Sequence, residues 1–308
     1  MTFTNPSIQL LAKMLQYSRP DQSTVEAAWV RSFVAPMAPS SDDFGNYYVA
    51  IGPNPRALFS CHTDTVSAYV GSNKLKRVGS KLVLAKPRAG RCLGADDGVG
   101  VWLMREMIAA GRPGLYVFHR AEERGGLGSG FIADHNRELL DGVDFAIALD
   151  RRGYSDVITH QVGGRTASDA FARQLASKLG RGYAPSDKGV FTDTANYASI
   201  VAECTNVSVG YENEHGPRES LDLDHAQRLR DVLVEADFSD LEAHRRPGDY
   251  DLPPAELYDF PFEHADRYRT FDESFADLVR EFPEAAVSAL RGEGWTAADF
   301  ENFVLRTE

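Results

Sequence analysis

Cysteine is scarce. The chain of 308 residues holds three, Cys61, Cys92 and Cys204. They form no CxxC pair and their number is odd, which argues against a disulfide framework and for reduced thiols in a cytoplasm. Long apolar runs are missing too. No stretch approaches the ~18 residues that a membrane-spanning helix requires. The opening MTFTNPSIQLLAKMLQYSRP has neither the basic start nor the apolar core of a secretory leader, so it reads as an amphipathic helix. Positive charge is in deficit: 33 Lys and Arg face 45 Asp and Glu, a formal net charge of -12. Nucleic acid is a poor partner for such a chain, because its phosphates need a basic surface. Internal repeats are absent. The acidic excess then has two readings. It serves solubility, or it gathers carboxylates around cations that a formal count ignores.

Hydrophobic residues make up 43 % of the chain, enough for the core of one large domain. Apolar periodicity predicts helices over 6–18, 23–35, 129–140, 168–179 and 223–238, and another beginning after Gly94 with Val99, Trp102, Leu103 and Met107 as its stripe. Strand-like runs are expected at 47–51, 57–61, 115–119, 145–149 and 205–211, with a further pair near 74–84. Short, nearly continuous apolar strands between helices imply an α/β fold, a three-layer αβα sandwich around a mostly parallel sheet. The stretch 245–262 is rich in proline and aromatics and lacks periodicity. It divides a main domain, 1–240, from a linker and small helical tail, 241–308.

Polar residues able to do chemistry cluster just after the apolar strands. ALFSCHTDTV ends with His62 and Asp64, which alternation places on one face while Cys61 points to the other. CLGADDGVG carries Asp96 and Asp97, and FHRAEERGGLGSG carries Glu122 and Glu123. FAIALDRRG places Asp150 past a strand, and VSVGYENEHGPRES places His215 in a late loop. Adjacent acids repel, and a solvated turn has no need of them. Taken singly, each stretch reads more readily as a cap or a solvated loop. Taken together, they would converge on the carboxyl edge of a parallel sheet, where ligand sites gather. A set of imidazole nitrogens and carboxylate oxygens suits zinc, and less exclusively manganese or cobalt.

The motif order HTD (62–64), GADDG (94–98), EE followed by GLGS (122–129), LD (149–150) and NEH (213–215) resembles the dinuclear zinc exopeptidase superfamily. The likeness covers roughly residues 45–235. It implies two zinc ions, with cobalt or manganese as alternatives: one held by His62 and Asp150, the other by Glu123 and His215, with Asp96 bridging both. It further implies that Glu122 is the general base for a water bridged by the metals, that Asp64 orients His62, and that the Asp96–Asp97 peptide is cis. Only 65 residues separate Asp150 from His215. That gap leaves no room for an inserted lid domain, so the resemblance is to a compact, single-domain aminopeptidase.

The segment GVFTDTANY (189–197) resembles the loop that lines the substrate pocket in such enzymes, making Asp193 and Tyr197 candidates for substrate binding. Arg151 and Arg152 follow a proposed ligand directly, and either turn away to pair with acids or bind a substrate carboxylate. The expectation is a cytoplasmic hydrolase acting on a peptide or amino-acid-derived small molecule, with no nucleic-acid or membrane partner and its oligomeric state open. An aminopeptidase leads. A dipeptidase, a carboxypeptidase or an N-acyl-amino-acid amidohydrolase is the alternative. A catalytically silent binding relative is disfavoured, because every matched position keeps a competent side chain. His119, His135, His160, His225, His244 and His264 have no ligand-like context, and His119 is expected to pack or hydrogen-bond in the core.

Overall fold

The computed structural model describes residues 3–248, so most of the expected tail lies outside the described residues. Eight strands form one sheet in the spatial order Ala184–Ser186, Asp156–Ile158, Glu203–Ser208, Phe145–Arg151, Ala57–His62, Gly114–His119, Tyr47–Ile51 and Ser40–Ser41. Glu203–Ser208, Phe145–Arg151, Ala57–His62 and Gly114–His119 run parallel at its centre. Tyr47–Ile51 and Ser40–Ser41 complete one side in antiparallel sense.

Six α-helices among the described residues accompany the sheet: α1 (Pro6–Met14), α2 (Thr24–Phe33), α3 (Ala95–Ala109), α4 (Leu127–His135), α5 (Asp169–Leu179) and α6 (Leu223–Glu235). Their starts are written in the sequence. The Asn5 side chain accepts from the N–H groups of Ser7 and Ile8, Ser23 accepts from Glu26, Ser168 from Phe171 and Asp222 from His225. Each cap satisfies donors that the first turn leaves free.

Strand alternation sorts the core into two layers. Phe59, Cys61, Tyr116, Phe118, Phe145, Ile147 and Leu149 pack with α1, α2, α3, α5 and α6. Leu58, Leu115, Val117 and Ala146 point the other way, against α4 and short 3-10 turns at Arg137–Leu140 and Asp193–Tyr197. The central strands are thus buried on both faces, which explains their unbroken apolar runs. The three-layer αβα arrangement expected from the sequence is the one found.

Several boundaries differ from expectation. The first helix stops at Met14 because Tyr17 and Ser18 pair with Ser72 and Gly71. The stretch 129–140 is α4 and a separate 3-10 turn, broken at Asn136, whose φ is -136°. The late strand ends at Ser208 after a register shift. Tyr211–Glu212 and Ser220–Asp222 then join the expected pair, Leu75–Val78 and Lys81–Leu84, in a second, four-stranded sheet. At the far end of the described residues Leu241 is buried in the main core, and the N–H groups of His244 and Arg245 donate to Glu203.

The sheet's carboxyl edge collects His62, Asp150 and, just beyond His119, Glu122 and Glu123, from three adjacent strands. Their alignment rests on the core beneath. Phe171 of α5 meets Phe145 with ring centroids 5.4 Å apart and is fully buried. Phe171→Ala is expected to lower unfolding free energy by about 3–5 kcal/mol, read from the denaturant midpoint. A change below about 1 kcal/mol would show that α5 does not hold the sheet.

Candidate metal centre

Five side chains expected from the sequence as metal ligands meet in one cleft. His62 Nε2 lies 3.0 Å from Asp96 Oδ1 and 3.6 Å from Asp150 Oδ1. His215 Nε2 lies 3.1 Å from Asp96 Oδ2 and 3.2 Å from Glu123 Oε2. The two oxygens of Asp96 therefore face two different imidazoles. The donor atoms of His62, Asp96 and Asp150 lie within 4.8 Å of one another, and so do those of Asp96, Glu123 and His215. A third such group, His62, Glu122 and Glu123, overlaps them, but Glu122 Oε2 stands back at 4.0 Å from His62 Nε2.

Local backbone supports this convergence. Asp96 and Asp97 interrupt the first turn of α3 with non-helical dihedrals, and the peptide between them is cis. Ala121 precedes the glutamate pair at φ 56°, and His215 itself sits at φ 61°. Left-handed non-glycine residues cost about 1–3 kcal/mol each and tend to mark functional sites.

The electrostatics follow from crowding. Burial pushes the Glu122 carboxyl well above its ordinary value, with Asp150, Asp193 and Glu123 adding to the rise and His62 opposing it. Burial and the charge on Asp96 raise Glu123 to about 7. Burial and Asp96 likewise raise Asp150 to about 6, against His62 and Thr192. Asp96 moves the other way. Burial opposes its charge, but hydrogen bonds from His215 and His62 hold it below the usual carboxylate range. Hydrogen bonds to Asp96 and Glu123 lift His215 to about 11. Oxygen and nitrogen donors around a shared carboxylate fit a pair of divalent ions.

Other side chains fix the donors. Asp64 Oδ1 is 3.4 Å from His62 Nδ1, and the Asp64 carboxylate also accepts the N–H groups of Glu122 at 3.2 Å and Glu123 at 3.3 Å. The shorter contact of His62 Nδ1 is to the Asp64 backbone carbonyl, at 3.1 Å, so Asp64 holds the imidazole through its carbonyl and carboxylate and the glutamate pair through its carboxylate. Thr192 Oγ1 donates to Asp150 Oδ2 at 2.7 Å, and Tyr211 donates to Asp150 Oδ1 at 3.2 Å. Asn206 exchanges hydrogen bonds with the Asp150 backbone in both directions.

Glu219 is fully buried and accepts N–H groups from Leu93, Gly94, Ala95 and Asp96, at 2.6–3.0 Å. Burial raises its carboxyl to about 7 despite those donors. It does for α3 what a side-chain cap does for the other helices. The sequence reading missed Glu219, Thr192, Asn206 and Tyr211. Nothing in GPRESLDL distinguishes Glu219 from a solvated loop acid.

Arg151 lines the cleft. Its Nε faces Asp156 at 3.3 Å and its Nη2 donates to the Lys188 carbonyl at 2.8 Å. Arg152 turns to Glu214, at 2.8 Å. Asp193 and Tyr197 differ from expectation: neither lines the cleft. Both are buried, with Asp193 Oδ2 at 3.1 Å from His119 Nδ1 and the Tyr197 hydroxyl at 2.6 Å from His119 Nε2. Their 3-10 turn packs on the smaller core layer, where a buried histidine needs partners for both ring nitrogens. His119 is thus buried and hydrogen-bonded, and Cys61 packs in the larger layer.

No protein-family model matches the sequence, and no curated protein does. Solved structures do match. The chain has the fold of aminopeptidases. Aminopeptidase PepT from Bacillus cereus is 15 % identical with a TM-score of 0.59, over 74 % of this chain and 96 % of that one. TET1 peptidase from Pyrococcus horikoshii is 16 % identical with a TM-score of 0.58, over 74 % of this chain and 98 % of that one. A tripeptidase from Staphylococcus aureus is 14 % identical with a TM-score of 0.56, over 74 % and 96 %. At such identities the likeness speaks for the fold, and that fold is the one implied by the peptidase superfamily that the motif order resembles. No helix among the described residues is long and apolar enough to cross a membrane.

The titration has a consequence for stability. An acid whose folded pKa is raised binds its proton more tightly folded than unfolded, so stability falls as pH rises between the two values. Glu123 and Glu219 at about 7 and Asp150 at about 6 all act in this sense. The depressed pKa of Asp96 acts oppositely, but its contribution is complete above its ordinary value of 3.8. In chelator, the melting temperature is expected to drop from about pH 4.5 to about pH 7.5. Saturating zinc should flatten that slope, because cations replace the protons. A melting temperature that climbs across this interval in chelator would contradict the assignment.

Proposed function

We propose that the chain is a metal-dependent exopeptidase acting as an aminopeptidase on short peptides. The observation that carries the reading is Asp96, whose two oxygens face His62 at 3.0 Å and His215 at 3.1 Å. His62 and Asp150 would hold one ion, Glu123 and His215 the other, with Asp96 shared. Zinc suits these donors, and cobalt or manganese fits the same set. Such a pair, when bound, lowers the pKa of water toward ~7 and polarises the carbonyl under attack.

The chain supplies the rest. Glu122 takes the proton of the attacking water and returns it to the leaving amine. Its distance from His62, greater than that of Asp96 or Asp150, suits a base better than a ligand. Its burial suits a group that must hold a proton transiently. Asp64 keeps the base and the first histidine in register, its carboxylate accepting the Glu122 N–H and its carbonyl meeting His62 Nδ1. Buried, unpaired thiols accord with a cytoplasmic enzyme.

A second reading rests on Arg151. Two of its nitrogens are pinned by Asp156 and Lys188, which leaves a guanidinium edge on the cleft wall. A substrate carboxylate fits such an edge, and that would favour a dipeptidase, a carboxypeptidase or an N-acyl-amino-acid amidohydrolase.

Three measurements test these readings. Purified protein should carry about two metal ions per chain and hydrolyse an aminoacyl anilide, with activity lost in chelator. Glu122→Gln is expected to lower kcat by about 10²–10⁴-fold with the metal content unchanged; near-normal turnover in that variant would refute its role as base. Free-amine peptides should be cleaved in preference to N-acetylated ones, and the reverse preference would favour the amidohydrolase.

A further inference from the structure

Arg19 is a buried cation that the site described so far does not use. It is fully buried and makes no ion pair among the described residues. Its guanidinium lies over the Trp29 ring, 4.3 Å from the centroid. Nε donates to the Thr63 carbonyl at 2.7 Å, and Nη1 donates to the carbonyls of Gly94 at 3.2 Å and Tyr17 at 3.4 Å. Its own backbone is tied to Thr65 in both directions, N–H to Oγ1 at 2.9 Å and carbonyl to N–H at 3.2 Å. Thr63 stands between His62 and Asp64, and Gly94 stands two residues before Asp96. One planar fork therefore ties the strand end that carries the first histidine to the loop that carries the shared aspartate.

The glycines of GADDG are shaped to this fork. A Cβ at Gly94 would come within 2.6 Å of Arg19 Nη1, and one at Gly98 within 3.3 Å of Nη2 and 2.6 Å of a Leu15 methyl. Burial works against the Arg19 charge, and the carboxylates that support it through space are Asp97, Asp64 and Glu219. None of these is among the proposed ligands, so Arg19 offsets the charge behind the site and leaves the charge of the ligands for cations.

We propose that Arg19 is a positioning residue of the metal centre, setting the spacing between His62 and Asp96 and with it the affinity for the ions. The inference rests on the metal-centre reading above. A lysine keeps the charge but has one nitrogen, and it cannot span carbonyls on two loops as a guanidinium does.

The test is zinc affinity, measured by competition with a chromophoric chelator, together with the visible spectrum of the cobalt-loaded protein. Arg19→Lys is expected to bind zinc about 10–100-fold more weakly, the range found when groups supporting metal ligands are changed, and to alter the cobalt spectrum. Leu229→Ala, a cavity variant in the core face of α6, is expected to melt earlier yet keep wild-type affinity and spectrum. Should Arg19→Lys fail to fold, Thr65→Val, which removes the acceptor of the Arg19 N–H, is expected to weaken zinc binding in the same direction. Affinity within about twofold of wild type in Arg19→Lys, or in Thr65→Val if it stands in, overturns the inference while leaving the metal centre intact. An equal loss in Leu229→Ala overturns it as well. Wild-type protein that binds neither zinc nor cobalt overturns the metal centre itself.

Discussion

Like charges forced together at one edge of a sheet are the constraint on which this molecule turns. Asp64, Asp96, Asp97, Glu122, Glu123, Asp150 and Glu219 gather around two histidines, and most are withdrawn from water. Buried carboxylates repel, and each loses its hydration. The fold answers with donors that do not move. Backbone N–H groups meet Glu219, Asp64 and Asp97, and hydroxyls meet Asp150. What remains unbalanced faces the cleft. A site so arranged is preorganised for positive charge, because the cost of assembling its acids is met by folding and not by ligand binding.

The two core layers divide the labour of holding that edge. The larger one, with five helices, fixes the strands from which His62 and Asp150 emerge. The smaller one is built around α4 and the 3-10 turns. Within it, Asp193 and Tyr197 clamp His119, three residues before Glu122. The turn that contributes them also brings Thr192 to Asp150. Residues that look like pocket lining from sequence thus sit one layer deeper, against the strand that leads to Glu122.

How much of this was legible in the chain depended on whether a residue's role was local. Apolar runs of strand length, apolar stripes at helical spacing and the order of acidic motifs after strands are local signals, and each located its element within a few residues. The meeting of His62, Asp96, Glu123, Asp150 and His215 in one cleft was legible because motif order constrains them jointly. Glu219 was not, because its four donors lie more than a hundred residues away. Arg19 was hidden for the same reason: only the third dimension sets it against Gly94. Asp193 and Tyr197 were misplaced because nothing in GVFTDTANY says whether the side chains of that turn look into the cleft or into the core. Short strands such as Asp156–Ile158 exist by pairing with partners already in place and leave little trace of their own.

The cleft wall is made differently from its floor. The floor is anchored in adjacent parallel strands, whereas the wall near Lys188, Val190 and Glu214 is loop, touching the scaffold through a few bonds such as those of Arg151 and Arg152. Val190 is 69 % exposed. Descendants of this sequence can therefore drift in what they admit while inheriting the reactive edge unchanged: selectivity is free to wander where chemistry is not.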